Sequence, residues 1–457
     1  MRKSIQKLTQ MAAVGMSVLV IGGCANNAAS TSTTAQSAAE TTAAESESAE
    51  ESTTAEAEKD EKESKTEAKS EATDAAWLKE YYGVEIPADG PDAAAFSEAL
   101  KKVAGEEAPA VEGDLNLLSA AKAAVAAADY EELALSYPAD KVKERLAAHG
   151  IKDEVDEAYA AYLACALDTD LISDEDGKSA VKKEAMTQAQ AESLLMRVVD
   201  VNGDGRNYLG MASDPDIYGK VDQAWNSFLL FDDDKLTEVG KRAVQEQVTT
   251  GYGIKSAAYD ARFLSDLTLQ YGHSDIKHAH QLIGLLNSEN IDAKVQLEPK
   301  ISIYQYLLDW GPIPESTPTY EVKQFDNDLY LVYAVEYDMK LEFNTTDDLK
   351  RFDEVINAYA KKNEGNEEAK GLIYASWWQP LYSTTRTDMS SDAYHQIYDC
   401  VVTDGIYSIH PFALPENKDA TVEKLKEFAG DSGVEVAPQE RYVNTAFYNY
   451  LKGDDYQ

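Results

Sequence analysis

Basic residues are scarce in this chain: 42 Lys and Arg stand against 82 Asp and Glu, a formal charge of −40. Neutralising phosphates takes clustered cations, and no basic block follows the first few residues, so nucleic acid is a poor partner. Acidity of this kind serves solubility more often than it marks a ligand. Cysteine is nearly absent. Only Cys24, Cys165 and Cys400 occur in 457 residues, so no disulfide framework is expected, and the last two, each in an apolar segment, read as buried reduced thiols. Long apolar runs are missing as well: the opening run, Met11 to Gly23, has thirteen residues, short of the roughly 20 that a spanning helix needs. Catalytic signatures are lacking too. There is no Gly-x-Ser-x-Gly, no His-Glu-x-x-His and no glycine-rich phosphate loop at a strand-to-helix junction, which leaves the common hydrolase, metalloprotease and nucleotide-binding readings without an anchor. Acids this numerous pair by chance, so neighbouring carboxylates do not argue for a glycosidase.

What is present begins with a basic start (Arg2, Lys3, Lys7), the apolar run, and Leu19-Val20-Ile21-Gly22-Gly23-Cys24. This pattern resembles the lipobox of bacterial lipoproteins. The resemblance implies a signal peptide over residues 1–23, a lipid on the Cys24 thiol, and a place on the extracytoplasmic face of the cell membrane. Residues 24–74 continue as a tether. From residue 25 it is Ala, Ser, Thr, Glu and Lys almost throughout, without an aromatic residue, Pro, Leu, Ile or Val, and so without the apolar surface that folding needs. A flexible coil of about 50 residues has a reach of roughly 40 Å.

Residues 75–210 carry helical periodicity, as in Ala120, Ala121, Ala124, Val125 and Ala128. Asp92, Leu117 and Met186-Thr187 each stand at the start of an Ala-rich helix. The stretch Tyr162-Leu163-Ala164-Cys165-Ala166-Leu167, then Leu171 to Gly177, then Met186-Thr187 and the helix through Leu195 resembles an S-layer homology repeat. That resemblance implies an all-α module that grips cell-wall polysaccharide. The arginine of the family motif is Gln188 here, so the resemblance implies the fold without the grip on an anionic polymer, and an unrelated Ala-rich helical bundle is the alternative. Residues 211–254 read as a helical connector.

At the end of the helical portion, Asp200-Val201-Asn202-Gly203-Asp204-Gly205-Arg206 resembles the start of an EF-hand or dockerin calcium loop, with oxygen ligands at Asp200, Asn202 and Asp204 and Arg206 closing the segment. Position 12, which should supply a bidentate carboxylate, is Met211. Calcium is therefore the one cofactor the sequence suggests, beside the alternative of a plain turn.

From residue 255 the pattern changes to strands flanking helices. Three strand-helix-strand units are expected: Phe263–Gln270, Asp275–Asn290 and Ala293–Leu297; Leu329–Glu342, Thr346–Lys362 and Gly371–Ala375; Gly405–His410, Asp419–Ala429 and Gly433–Ala437. They divide into a first α+β unit (255–318) and a second region (319–457). The expected fold class is thus α+β and multidomain, a helical module followed by a duplicated ferredoxin-like β-α-β module with open sheets. In the duplication His273 and His410 correspond, and they could converge on a metal or a carboxylate, or serve as local caps. His278 and His280 lie two apart on a helix and face different ways.

Aromatic residues gather around Trp377, Trp378 and Tyr382, followed by Arg386 and Tyr394. Adjacent tryptophans on a strand point to opposite faces, so this region is the candidate for stacking on an extracellular glycan or peptide, with core burial as the plainer alternative. The sequence as a whole reads as a non-catalytic surface lipoprotein that binds or scaffolds. A transporter's solute-binding lipoprotein and an extracellular hydrolase are the alternatives.

Overall fold

The computed structural model describes residues 71–326, 329–359, 381–389 and 393–453. The first part is helical: α1 (Asp74–Tyr82), α2 (Ala93–Ala104), α3 (Leu117–Ala127), α4 (Glu131–Leu135), α5 (Ala139–Ala148), α6 (Glu157–Asp168), α7 (Asp174–Ala180) and α8 (Gln188–Val201). Side-chain caps set several starts. Asp92 accepts from the Ala95 amide at 2.8 Å, while Asn116 and Thr187 form capping boxes that satisfy the otherwise orphaned first-turn donors of α3 and α8. These three helices, α2, α3 and α8, pack on one another around a core that includes Phe96, Leu118, Ala124, Leu195 and Val199.

The remainder is a barrel with a mantle of helices. Its elements are β1 (Gly210–Met211), α9 (Ile217–Ser227), α10 (Asp234–Gln245), β2 (Gly251–Ser256), β3 (Thr268–His273), α11 (Ile276–Ser288), β4 (Ala293–Gln305), β5 (Tyr320–Asp326), β6 (Leu329–Phe343) and α12 (Thr346–Tyr359). Then come β7 (Leu381–Thr384), β8 (Tyr394–Asp404), β9 (Tyr407–His410), β10 (Phe412–Ala413), α13 (Lys418–Ala429), β11 (Glu435–Asn444) and α14 (Thr445–Lys452). Eight strands run β4-β2-β9-β8-β11-β7-β3-β6, every pair antiparallel, and β6 pairs with β4 from Ala293↔Phe343 to Gln305↔Leu331 to close the ring. The other three strands are appendages, β1 on β4, β5 on β6 and β10 on β8.

This closure overturns the expected duplicated ferredoxin-like module. Helices α11, α12 and α13 fall where strand-helix-strand units were expected, but their strands share one closed sheet, and β2, which begins inside the stretch read as helical connector, is one of its staves. The expected strand Gly371–Ala375 lies outside the described residues. The physical reason for the difference is in β6. Its odd positions, Leu331, Tyr333, Tyr337, Met339, Leu341 and Phe343, are apolar and lie under the helices, while Glu336, Asp338, Lys340 and Glu342 alternate with them. An open sheet would show that polar face to water; here it turns into the barrel.

The mantle fits closely. Leu236, Val239 and Ala243 form the buried stripe of α10, and at Gly240 a Cβ would stand 2.2 Å from the Tyr252 ring on β2, so only glycine permits this approach. One mouth of the barrel is covered by α14, whose Phe447 packs on Ile397 and Val443. The other meets the helical part. There the Trp77 indole donates to the Arg262 carbonyl at 2.7 Å, the Tyr81 hydroxyl to the Phe263 carbonyl at 2.8 Å, and Leu264 and Leu267 enter the helical core.

Candidate functional site: the charged barrel interior

Strand register assembles the interior. Pairings Lys294↔Glu342, Gln296↔Lys340, Glu298↔Asp338 and Lys300↔Glu336 place four rungs of polar residues on the inner face of β4 and β6. Lys300 Nζ lies 3.0 Å from Asp338 Oδ1 and 3.6 Å from Glu336 Oε2, and Lys255 from β2 closes on Asp338 Oδ2. Lys340 Nζ reaches Glu298 at 2.8 Å and Asp260 at 2.9 Å. Nearer the helical part, Arg206 Nε donates to Glu342 at 2.8 Å. Burial by itself would raise the Asp338 carboxyl, but the ammonium groups of Lys255 and Lys300 outweigh it and hold the group well below the usual carboxylate range. For Lys340, burial opposes the charge, and Glu298 and Asp260 overcome it, so its ammonium is held more firmly than that of a free lysine.

On the opposite wall, β8 and β9 carry a second cluster. Ser408 pairs with Lys255 and His410 with Gly253, so both side chains face inward. His410 Nδ1 lies 2.8 Å from Asp399 Oδ2 and its Nε2 lies 2.9 Å from Ser408 Oγ. A carboxylate only accepts, so the tautomer that fits both partners carries its proton on Nδ1 and accepts the Ser408 hydroxyl at Nε2. Asp399 is buried, and its Oδ1 has no hydrogen-bond partner among the described residues. Sequence reasoning missed Ser408 and Asp399. The signal available was Ser-x-His on a short strand with an acid on the preceding hairpin strand, a pattern too common to stand out unaided.

The expected partnership of His273 with His410 is not formed. His273 points outward from β3, where its ring stacks on His278 with centroids 4.0 Å apart, and its Nδ1 accepts from the Asp275 amide at 2.8 Å. Burial, and then the neighbouring His278, pull its pKa down to about 3, so the pair is neutral. Period-two alternation puts His273 and His410 on opposite faces of the sheet.

Residues of the calcium-type loop meet partners elsewhere in the chain. Arg262 Nη1 donates to the carbonyls of Gly203 at 2.8 Å and Gly205 at 3.2 Å and stands 3.7 Å from Asp204 Oδ1. Asn202 donates to the Ala127 carbonyl at 3.5 Å, and Arg206 turns away to Glu342. Asp200 folds over the loop, where a Cβ on Gly205 would sit 2.0 Å from its Oδ1. Among the described residues, no group of three or more His, Cys, Asp or Glu is arranged to hold a metal ion.

Of the aromatic region, Trp377 and Trp378 lie outside the described residues, as does Cys24, and Tyr382 is placed only as a residue of β7. Arg386 is buried and forked onto Asp388, Nε to Oδ1 at 2.7 Å and Nη2 to Oδ2 at 2.6 Å, and it also donates to the Asp266 carbonyl. That hydrogen-bonded guanidinium holds the Asp388 carboxyl down at about 2. Tyr394 donates to Asp353 at 2.7 Å. Both residues tie β7 and β8 to α12 and the segment before β3.

A second polar centre sits in the helical part. Asp168 accepts from Arg145 at 2.7 Å, from Tyr137 at 2.9 Å and from His149 Nε2 at 2.9 Å, and His149 Nδ1 reaches Asp174 at 2.6 Å. Burial opposes charge on His149, but its bonds to the two carboxylates prevail and raise its pKa. A raised histidine stabilises the fold below its unfolded value of about 6.5, and that contribution is lost as pH climbs through the folded value. Thermal melts across pH 5.5–9 should therefore show wild type losing its advantage over His149→Asn as pH rises. A difference that does not change with pH would contradict the bridge.

No protein-family model, no curated protein and no solved structure matches this chain.

Proposed function

We propose that this protein is a lipid-anchored surface component of a bacterial envelope, a head that binds or scaffolds at the cell wall or on an extracellular glycan or peptide. The observation that carries the reading is the run from Leu19 to Cys24, followed by fifty residues, 25–74, without an aliphatic or aromatic anchor larger than alanine. The fold is consistent with a head on a tether: residue 72 enters it between the two parts, its amide donating to the Asn344 carbonyl at 2.9 Å. The helices α2, α3 and α8 of the segment that resembles S-layer homology repeats pack on one another. Gln188 bonds Glu192 at 2.9 Å instead of offering a cation, so any polysaccharide would be held by other groups.

Changing Cys24 to Ser is expected to move the protein from the membrane fraction to the medium, or to leave its precursor unprocessed. Fractionation with a radiolabelled fatty acid tests this. An unlabelled wild type that stays membrane-bound after the change would sink the reading.

A further inference from the structure

We propose that Ser408, His410 and Asp399 form a hydrolytic relay on the inner wall of the barrel, with Ser408 as a nucleophile toward small acyl esters. The inference is independent of the membrane anchor. It stands on two hydrogen bonds in series, Ser408 Oγ to His410 Nε2 at 2.9 Å and His410 Nδ1 to Asp399 Oδ2 at 2.8 Å. This is the order that lets imidazole take a hydroxyl proton while a carboxylate fixes its tautomer. Three features of the surroundings favour chemistry over a purely structural role.

The first is charge. Asp399 Oδ1 has no hydrogen-bond partner among the described residues, so this buried carboxylate is left to favour the imidazolium that forms when His410 is protonated. The second is a cation beside the nucleophile. Lys255 is the register partner of Ser408 on the same inner face; its ammonium is paired with Asp338 Oδ2, so toward an oxyanion at Ser408 it offers the field of a nearby cation and not a free donor. The third is access. Ser408 and His410 are only partly buried, and on β11 the inward positions Glu435, Ala437 and Gln439 are exposed, so this side of the interior is wet while Lys300 and Asp338 opposite are shielded.

The reaction balances without a further reactant than water. Ser408 Oγ bonds to the acyl carbon as its proton passes to His410 Nε2. The tetrahedral intermediate then breaks its bond to the alcohol oxygen, which leaves with the proton from His410. Water, deprotonated by His410, attacks the acyl-serine; the carboxylic acid departs and Ser408 regains its proton. Asp399 is a positioning residue, acting through His410.

The test uses the full chain, a fluorophosphonate probe and p-nitrophenyl acetate. Wild type should carry the probe at Ser408 on peptide mapping, and Ser408→Ala should abolish both label and ester hydrolysis while melting as wild type does. His410→Gln should slow labelling by about 10²-fold or more, the usual contribution of a general base. Asp399→Asn should slow it and also move the midpoint of its pH profile, which a merely structural residue would not do. An unlabelled Ser408, or labelling indifferent to His410→Gln in a folded variant, overturns the proposal. Ser408 can be mapped equally in the Cys24→Ser protein, so this outcome and that of the anchor are read separately.

Discussion

Replacing Asp338 by alanine should cost about 3–5 kcal/mol of stability, because it leaves two buried ammonium groups without their shared counter-ion. Asp338 is 1 % exposed, and Lys255 and Lys300 converge on its two oxygens. Were the polar face of β6 turned to solvent, the same change would break exposed ion pairs worth roughly 0–1 kcal/mol. Denaturant unfolding therefore reads the position of this face directly. A loss under about 1 kcal/mol, on the scale of an exposed pair, would place Asp338 in water. Replacing Asp338, Lys255 and Lys300 together by apolar residues of similar size should recover much of the loss, since charge that is removed as a set leaves nothing uncompensated.

Trp77→Ala carries the second large effect, about 3–5 kcal/mol for a large aromatic side chain lost from a core. The Trp77 ring is fully buried, stacks on Tyr81 with centroids 4.6 Å apart and lies 5.7 Å from the Arg206 guanidinium that enters the barrel mouth. Its indole bond to Arg262 joins the helical part to the segment between β2 and β3. Beyond lost stability, the variant should uncouple the two parts, so that near-ultraviolet and far-ultraviolet circular dichroism no longer report one transition. Coincident transitions with a small loss would mean that the parts are held elsewhere.

These two residues mark what was legible in the sequence. Helix starts at Asp92 and Thr187 were, because a cap acts locally and needs only its own first turn. The helices at 276–288, 346–359 and 418–429 were legible for the same reason, having apolar residues at helical spacing. Barrel closure was not. Alternation in β6 is identical for an open sheet wet on one face and for a barrel with ions inside, and nothing local tells Glu336, Asp338, Lys340 and Glu342 apart from a solvated edge. The site followed the same rule. His410 stood out as a rare residue type, one of six, but its partners, Ser408 two residues back and Asp399 on the preceding strand β8, depend on strand bounds and hairpin register that residue type does not show. Its supposed partner, His273, faced the other way because strand ends were displaced by a few residues, and in a strand an odd displacement reverses every side chain. At the calcium-type loop the contact that sequence could not show is long-range: Arg262, fifty-seven residues from Gly205, brings a guanidinium to the loop carbonyls.

The closed barrel is the central claim, and it is tested most directly where β11 meets β7, the shortest of the eight pairings that the ring needs. Val443 and Ser383 are register partners on the inner face there, at a spacing where antiparallel partners have Cα atoms roughly 4.5–5.5 Å apart, within disulfide reach. The remaining cysteines of the folded part, Cys165 and Cys400, are buried and free. Introducing Ser383→Cys with Val443→Cys and mapping peptides without reductant should give a linked pair spanning residues 383 and 443 under mild oxidation of the folded protein. Two free thiols at these positions, in a variant that melts as wild type does, would contradict the closed barrel.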